Sequence, residues 1–64
     1  MTATINTLPD CPWCEKAKKL MDLKGIQYEI VSGKADEWPT VPFIVIDGQP
    51  VGGYTEFAAW CRKH

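Results

Sequence analysis

The sequence lacks the features of several common protein classes. It has no apolar run near the roughly 18 residues that a membrane span needs, so we expect no membrane association. Its 7 Lys and Arg nearly balance its 8 Asp and Glu, which excludes a strongly basic nucleic-acid-binding protein as the default. Residues 1–8 lack the basic and apolar regions of a secretory signal. These absences predict a cytoplasmic protein that binds neither nucleic acid nor membrane.

The chain also has too few residues and cysteines for some architectures. Its 64 residues predict a single domain, 1–64, and 45% hydrophobic residues argue against disorder. Three cysteines are an odd number, which does not suit a secreted mini-protein with several disulfides. Two of them, Cys11 and Cys14, form a C-x-x-C pair. Without a secretory signal, such a pair indicates either a redox site or half of a metal site.

The first half of the chain predicts a strand, a helix and a second strand. Residues 2–8 alternate between polar and apolar, which is typical of a strand with one apolar face. Apolar residues then recur at helical spacing over residues 12–24, with Pro12 suited to the first helical position. Gly25 is a plausible end for this helix. Residues 26–31 predict the second strand.

The second half predicts a hairpin and a last helix. Residues 43–46 form a continuous apolar run, which favours a central strand covered on both faces. Asp47-Gly48 is a strong two-residue hairpin turn, and Pro50 makes the strand that follows an edge strand. Thr55 is the predicted N-cap of the last helix. Its predicted apolar face consists of Phe57, Ala58, Trp60 and Cys61.

The order of elements is therefore β-α-β-loop-β-β-α, an α/β fold. Because a helix joins the first two strands, they should be parallel with a right-handed crossover, whereas the last two should be antiparallel. The prediction is a four-stranded mixed sheet with both helices on its apolar face.

The position of the C-x-x-C pair at a strand-to-helix junction indicates its chemistry. If the helix starts at Pro12, Cys11 is the N-cap, and the free N–H groups of Trp13 and Cys14 point at its sulfur. These donors and the helix dipole favour the thiolate over the thiol. Cys14 lies one turn later on the apolar stripe, so it should be shielded yet close enough for a disulfide. Such a pair suits a cycle in which Cys11 attacks a substrate disulfide and Cys14 resolves the mixed disulfide.

A structural zinc module is an alternative of a different class. Cys11, Cys14, Cys61 and His64 would supply four tetrahedral ligands. Against it, Cys61 falls on the apolar face of the last helix, where a small buried hydrophobe is the plainer interpretation. His64 is the last residue of the sequence, where fraying is expected.

Three motifs occur in order along the chain. They are Cys11-Pro12-Trp13-Cys14, Thr40-Val41-Pro42 and Gly52-Gly53-Tyr54-Thr55-Glu56-Phe57. With them the chain closely resembles the glutaredoxins over nearly its whole length, and the bacterial dithiol glutaredoxins especially around residues 52–60. The resemblance implies a minimal thioredoxin-like fold and a small dithiol oxidoreductase, with Cys11 as nucleophile and Cys14 as resolving cysteine. It implies glutathione as co-substrate. We expect no bound cofactor and no metal.

The resemblance also implies a glutathione site. Val41 would offer its backbone N–H and C=O to the glutathione peptide, with the Val41–Pro42 bond cis. Gly53 would allow close approach, while Thr55 and Glu56 at the helix start would hold the γ-glutamyl end. The full implied set is Trp13, Thr40, Val41, Pro42, Gly53, Tyr54, Thr55 and Glu56.

Some of these residues have plainer interpretations, and the chain departs from the family pattern in places. Trp13 stands where the family usually has Tyr, and it could also be only an aromatic residue on the helix surface. Pro42 could be an ordinary trans residue before a strand. Gly52-Gly53 could be only a turn. The family commonly has a cation shortly before the first cysteine. This chain has Asp10 there instead, and its negative charge should oppose thiolate formation at Cys11. Glu56 replaces the usual Asp.

The largest departure is the stretch 32–40, which is too short for the family's second helix. In the family that helix covers the other face of the sheet and contacts the glycine carboxylate of glutathione. Here we expect a loop in its place, with Trp38 lying over the remaining apolar surface. Lys34 is a candidate for the missing carboxylate contact, although a solvated loop lysine is the plainer interpretation.

The sequence thus predicts a monomeric, glutathione-dependent thiol-disulfide oxidoreductase. Its expected partners are glutathione and disulfide or glutathionylated proteins, with ribonucleotide reductase as one possible acceptor. A redoxin reduced by thioredoxin reductase is the nearest alternative, since the missing helix weakens the case for glutathione.

Overall fold

The computed structural model describes residues 2–63 and shows a four-stranded sheet with two helices. Strand order is β2-β1-β3-β4, with β1 parallel to β2 and antiparallel to β3, and with β3 antiparallel to β4. This confirms the predicted mixed sheet and order of elements. The bounds are β1 Thr2–Thr7, α1 Pro12–Lys24, β2 Gln27–Ser32, β3 Phe43–Ile46, β4 Gln49–Gly52 and α2 Tyr54–Lys63.

Helix α1 begins and ends where its sequence predicts. Cys11 is the N-cap in extended conformation, and Pro12 follows in the first turn. Gly25 ends the helix with φ 71°, and its N–H donates to the carbonyl of Asp22. Only glycine adopts this left-handed conformation without a steric cost from Cβ, which is why the helix stops here. The N–H of Ile26 then donates to the carbonyl of Met21 and turns the chain toward β2.

The hydrophobic core lies between the sheet and both helices. From α1, Ala17 and Met21 are fully buried, and from α2, Phe57 is fully buried beside them. Both helices therefore pack on one apolar face of the sheet, as predicted. The buried cluster comprises Ala3, Ile5, Ala17, Met21, Ile26, Ile44, Ile46, Phe57 and Cys61.

The opposite face of the sheet is covered in part by a loop instead of a helix. No helix lies between β2 and β3 within residues 2–63. Trp38 of this loop stacks on Phe43 with ring centroids 5.7 Å apart, and Phe43 is only 2% exposed. The neighbouring positions on this face are the polar Thr4 and Asn6 of β1, which pair in register with Val45 and Phe43. The predicted role of Trp38 as a cover is confirmed.

The hairpin between β3 and β4 forms at Asp47-Gly48. Both residues have positive φ, 50° and 81°, as a type I′ turn requires. Pro50 lies in β4, at the edge of the sheet, where its missing N–H interrupts no ladder.

Helix α2 begins earlier than predicted. The N–H of Phe57 donates to the carbonyl of Gly53 at 2.9 Å, so Gly53 is the N-cap and Tyr54 the first helical residue. The predicted cap, Thr55, was wrong, and its side chain is exposed on the first turn. The reason is Glu56, whose Oε1 accepts from the N–H of Gly53 at 2.9 Å. This is half of a capping box, and it replaces a capping hydroxyl.

Smaller differences occur at strand ends. Strand β1 stops at Thr7 rather than at residue 8, and β2 runs one residue later than predicted. Neither helix among the described residues is long and apolar enough to cross a membrane.

Candidate active site

The C-x-x-C pair lies at the start of α1, directly after the loop that follows β1. Cys11 and Cys14 form a disulfide, with their Cα atoms 5.2 Å apart. The N–H of Cys14 donates to Sγ of Cys11 at 3.1 Å. We expected the N–H of Trp13 to point at this sulfur as well, but only the bond from Cys14 is present in the described chain. Cys11 is half-buried whereas Cys14 is 1% exposed, so one sulfur is accessible and the other is shielded.

A cleft of about 590 Å³ opens beside Cys11. Asp10 lies in this cleft with φ 58°, and its side chain is exposed. The cation that reaches the cleft, Lys18, is paired with Glu15 at 2.6 Å. The hydrogen bond that Lys18 donates to Glu15 raises the pKa of Lys18 above its usual value. Because Lys18 is already engaged by Glu15, it adds little free positive charge next to Cys11.

A separate groove of about 290 Å³ gathers residues from all three motifs. All eight residues that the family resemblance implied for glutathione line it, and the ninth lining residue is Trp38. Sequence reasoning assigned Trp38 a covering role only and missed its place in the groove. The available signal was its position two residues before the Thr-Val-Pro motif. The lining is Trp13, Trp38, Thr40, Val41, Pro42, Gly53, Tyr54, Thr55 and Glu56.

Two aromatic rings form one wall of the groove. Trp13 is 53% exposed and lies 5.4 Å, centroid to centroid, from Tyr54. Nζ of Lys16 is 4.5 Å from the centroid of the Trp13 ring, a cation–π contact. A positive charge therefore lies against this wall.

The floor of the groove comes from the segment before β3. The Val41–Pro42 peptide bond is cis, as the resemblance implied. Val41 is half-buried and precedes the first residue of β3, so its backbone groups lie outside the sheet ladder. Opposite this segment, Gly53 lies close to Pro42. A Cβ on Gly53 would be 3.5 Å from the carbonyl oxygen of Pro42.

The end of the groove is the N-terminus of α2. The N–H groups in the first turn of a helix have no intrahelical partner, and the helix dipole is positive there. Glu56 accepts from the N–H of Gly53, while no side chain within residues 2–63 caps the N–H groups of Tyr54 and Thr55. This geometry suits a ligand that carries a carboxylate.

Comparison with known proteins identifies the family. A sequence model described as Glutaredoxin matches residues 3–51. The chain belongs to the glutaredoxin family. Glutaredoxin 1 of Escherichia coli K12 is 35% identical in an alignment that covers 84% of this chain and 85% of that protein. Glutaredoxin 1 of Rickettsia prowazekii is 38% identical in an alignment that covers 81% of this chain and 68% of that protein.

Solved glutaredoxin structures share the fold. The crystal structure of glutaredoxin 1 from Francisella tularensis, complexed with cacodylate, has a TM-score of 0.85 at 25% identity and covers 97% of this chain and 93% of its own. The structure of E. coli glutaredoxin has a TM-score of 0.73 at 31% identity, covering 98% and 95%. A glutaredoxin with a Cys11–Cys14 pair is a thiol-disulfide oxidoreductase, and the family works with glutathione as co-substrate.

The structure also bears on two other predictions, the carboxylate contact from Lys34 and the zinc site. Lys34 is exposed and lines a different hollow, formed by residues 34–39, so the structure does not place it in the groove. Residues 2–63 contain no group of three His, Cys, Asp or Glu side chains placed to hold a metal. His64, the fourth ligand of the zinc alternative, lies outside the described residues.

Proposed function

We propose that this glutaredoxin reduces glutathione mixed disulfides and protein disulfides with glutathione as the electron donor. The Cys11 thiolate attacks a substrate sulfur, the substrate disulfide breaks, and the departing thiolate takes up a proton. The Cys14 thiolate then attacks Sγ of Cys11 and releases the second thiol. Two glutathione molecules reduce the Cys11–Cys14 disulfide in turn, becoming glutathione disulfide, so atoms and electrons balance.

The arrangement of the groove is the observation that carries the proposal. Eight residues from three separated motifs line one concavity. It offers backbone groups at Val41, an aromatic wall at Trp13 and Tyr54, and a helix N-terminus at residues 53–56. A tripeptide thiol with one carboxylate at each end matches these features. Peptide groups pair with the Val41 backbone, and the γ-glutamyl carboxylate lies at the helix start.

The different exposure of the two sulfurs supports their proposed roles. An attacking sulfur must be reached by a bulky substrate, and Cys11 is the more accessible of the pair. The resolving sulfur needs to reach only Cys11, and shielding Cys14 protects it from solvent and from other disulfides. Disulfide proteins and glutathionylated proteins, with ribonucleotide reductase among the former, are the proposed acceptors.

The test compares two reducing systems on the same protein. Turnover of a glutathionylated peptide is measured once with glutathione, glutathione reductase and NADPH, and once with thioredoxin reductase and NADPH. We expect turnover in the first system and little in the second. Turnover with thioredoxin reductase alone would overturn the glutathione assignment in favour of a thioredoxin-reductase-dependent redoxin.

Metal content separates the remaining alternative. Protein purified under reducing conditions is analysed for zinc, and its folding is followed by circular dichroism during chelation. One tightly held zinc per chain, with folding lost on chelation, would support the zinc module over the redox site.

A further inference from the structure

We propose that Trp38 is a ligand-binding residue of the groove, and that its indole N–H donates a hydrogen bond to the γ-glutamyl carboxylate of glutathione. The inference deepens the proposed function and rests on it. It assigns a specificity-determining role to a residue of the loop that replaces the family's second helix.

The position of Trp38 is set by contacts on two sides. Its ring stacks on Phe43, which holds the indole against the sheet. On the other side lies the double glycine that precedes α2. A Cβ on Gly52 would be 3.3 Å from Cη2 of Trp38, and a Cβ on Gly53 would be 3.7 Å from Nε1. The indole is therefore wedged between β3 and the N-terminus of α2, with its nitrogen edge toward Gly53.

The indole nitrogen is a donor without a partner in this arrangement. Trp carries one N–H and no acceptor, and a half-buried indole usually finds a hydrogen-bond partner. None of the side chains or carbonyls in residues 2–63 accepts from Trp38. Trp38 also lines the groove, so a ligand in the groove would lie beside the indole.

The neighbours of Nε1 indicate which part of the ligand it meets. Gly53 is the N-cap of α2, and the first-turn N–H groups beside it favour an anion. The nearby carboxylate of Glu56 already accepts from the N–H of Gly53, so the indole adds a donor where one backbone donor is occupied. A carboxylate at this end of the groove would accept from Trp38 and from the helix start together. Of the two carboxylates of glutathione, the proposed function places that of the γ-glutamyl residue at this helix start.

A pair of substrates tests this assignment by kinetics. Peptides carrying a mixed disulfide with glutathione, or with cysteinylglycine, differ only in the γ-glutamyl residue. Each is turned over by the full chain and by Trp38→Phe, which keeps an aromatic ring on Phe43 but removes the N–H. We expect Trp38→Phe to raise KM for the glutathionylated peptide about tenfold, the size of one net hydrogen bond to a charged group, with kcat little changed. The KM for the cysteinylglycine peptide should stay the same.

NMR spectroscopy tests the indole N–H of Trp38 directly, without replacing the residue. The protein has three tryptophans, so its ¹⁵N spectrum holds three indole N–H resonances, and loss of one in Trp38→Phe assigns it. In a Cys14→Ser background, Cys11 is converted to its mixed disulfide with glutathione or with cysteinylglycine. We expect a downfield shift of the Trp38 indole proton with glutathione only. Trp60→Phe, outside the groove, is the matched control. It removes a different indole resonance and should leave the KM values and the shift of the Trp38 resonance unchanged.

Three outcomes would overturn the inference. Equal KM values for the glutathionylated peptide in wild type and Trp38→Phe would show that Trp38 makes no such hydrogen bond. An unshifted Trp38 resonance in the glutathione adduct would show the same. Equal losses on both peptides would show that Trp38 acts only by packing. Failure of the wild-type chain to use glutathione at all would instead overturn the proposed function, which separates the two cases.

Discussion

The backbone N–H of Cys14 donates to the sulfur of Cys11 across a distance of 3.1 Å. One residue of the pair thus caps the helix that carries the other, and the cap is also the proposed nucleophile. The same N–H that completes the start of α1 would stabilise a negative charge on Sγ once the disulfide is reduced. Local helix capping and thiol activation are therefore a single interaction.

The two cysteines should lose function differently when each is replaced. Cys11→Ser should abolish all activity, because no other exposed thiol lies at the helix start. Cys14→Ser should keep part of the reduction of glutathione mixed disulfides, which needs one thiol, and lose the reduction of disulfides that needs both. Both variants are assayed on a glutathionylated peptide and on a protein disulfide. Equal and complete loss in the two variants on the glutathionylated peptide would contradict the assigned roles.

Helix α1 offers a matched pair for testing the core. Met21 is 0% exposed whereas Leu23, two residues later, is 83% exposed. Met21→Ala should lower the free energy of unfolding by about 2–5 kcal/mol, since it leaves a cavity beneath both helices. Leu23→Ala should change it by less than about 0.5 kcal/mol. Urea unfolding of the oxidised proteins measures both free energies. Similar losses in the two variants would contradict the burial of Met21 in the core.

Gly52 should tolerate a methyl group less well than another glycine with positive φ. A Cβ at Gly52 would lie 3.0 Å from Cβ and Cγ of Glu56, while a Cβ at Gly33 would meet nothing within 4 Å. Their φ values, 121° and 99°, penalise Ala at both positions. Gly52→Ala should therefore be destabilised by roughly 1–3 kcal/mol more than Gly33→Ala, a typical cost of overpacking. Thermal unfolding compares the two, and an equal loss would show that backbone conformation alone matters.

Cys61 should make stability fall at alkaline pH. Burial raises the pKa of its thiol, with Lys24 acting in the opposite direction. The folded state then keeps the proton where the unfolded state, with a pKa of about 8.5, has begun to lose it. Below this pH the Cys61 contribution is fully present, and it declines as pH rises through the higher pKa of the folded state.

The pH dependence is measured against a variant without this thiol. Wild type and Cys61→Ala, both with the Cys11–Cys14 disulfide intact, are unfolded in urea at several pH values from 7 to above 9. Wild type should be the more stable at neutral pH, with the difference narrowing as pH rises. A difference that stays constant or widens would show that the buried thiol does not resist ionisation.

Much of the fold followed from local patterns in the sequence. Alternation in β1, the stripe of α1 between Pro12 and Gly25, and the turn at Asp47-Gly48 each depend on steric and hydrogen-bonding preferences of a few neighbouring residues. The start of α2 did not follow, because Thr55 was the better capping side chain by type. Glu56 reached back to Gly53 instead, and that contact depends on how the double glycine leaves β4.

The chemistry of the Cys11–Cys14 pair was accessible from residue spacing, since a helix start and one turn of helix are local geometry. The groove was accessible only through the family resemblance and not from residue spacing, because it joins segments that are distant along the chain and meet only when the sheet is paired. The same is true of Trp38, whose loop position showed that it had apolar surface to cover but not that its nitrogen edge would meet Gly53. Local backbone preferences are encoded residue by residue, whereas contacts between distant segments depend on how all the packed elements fit together.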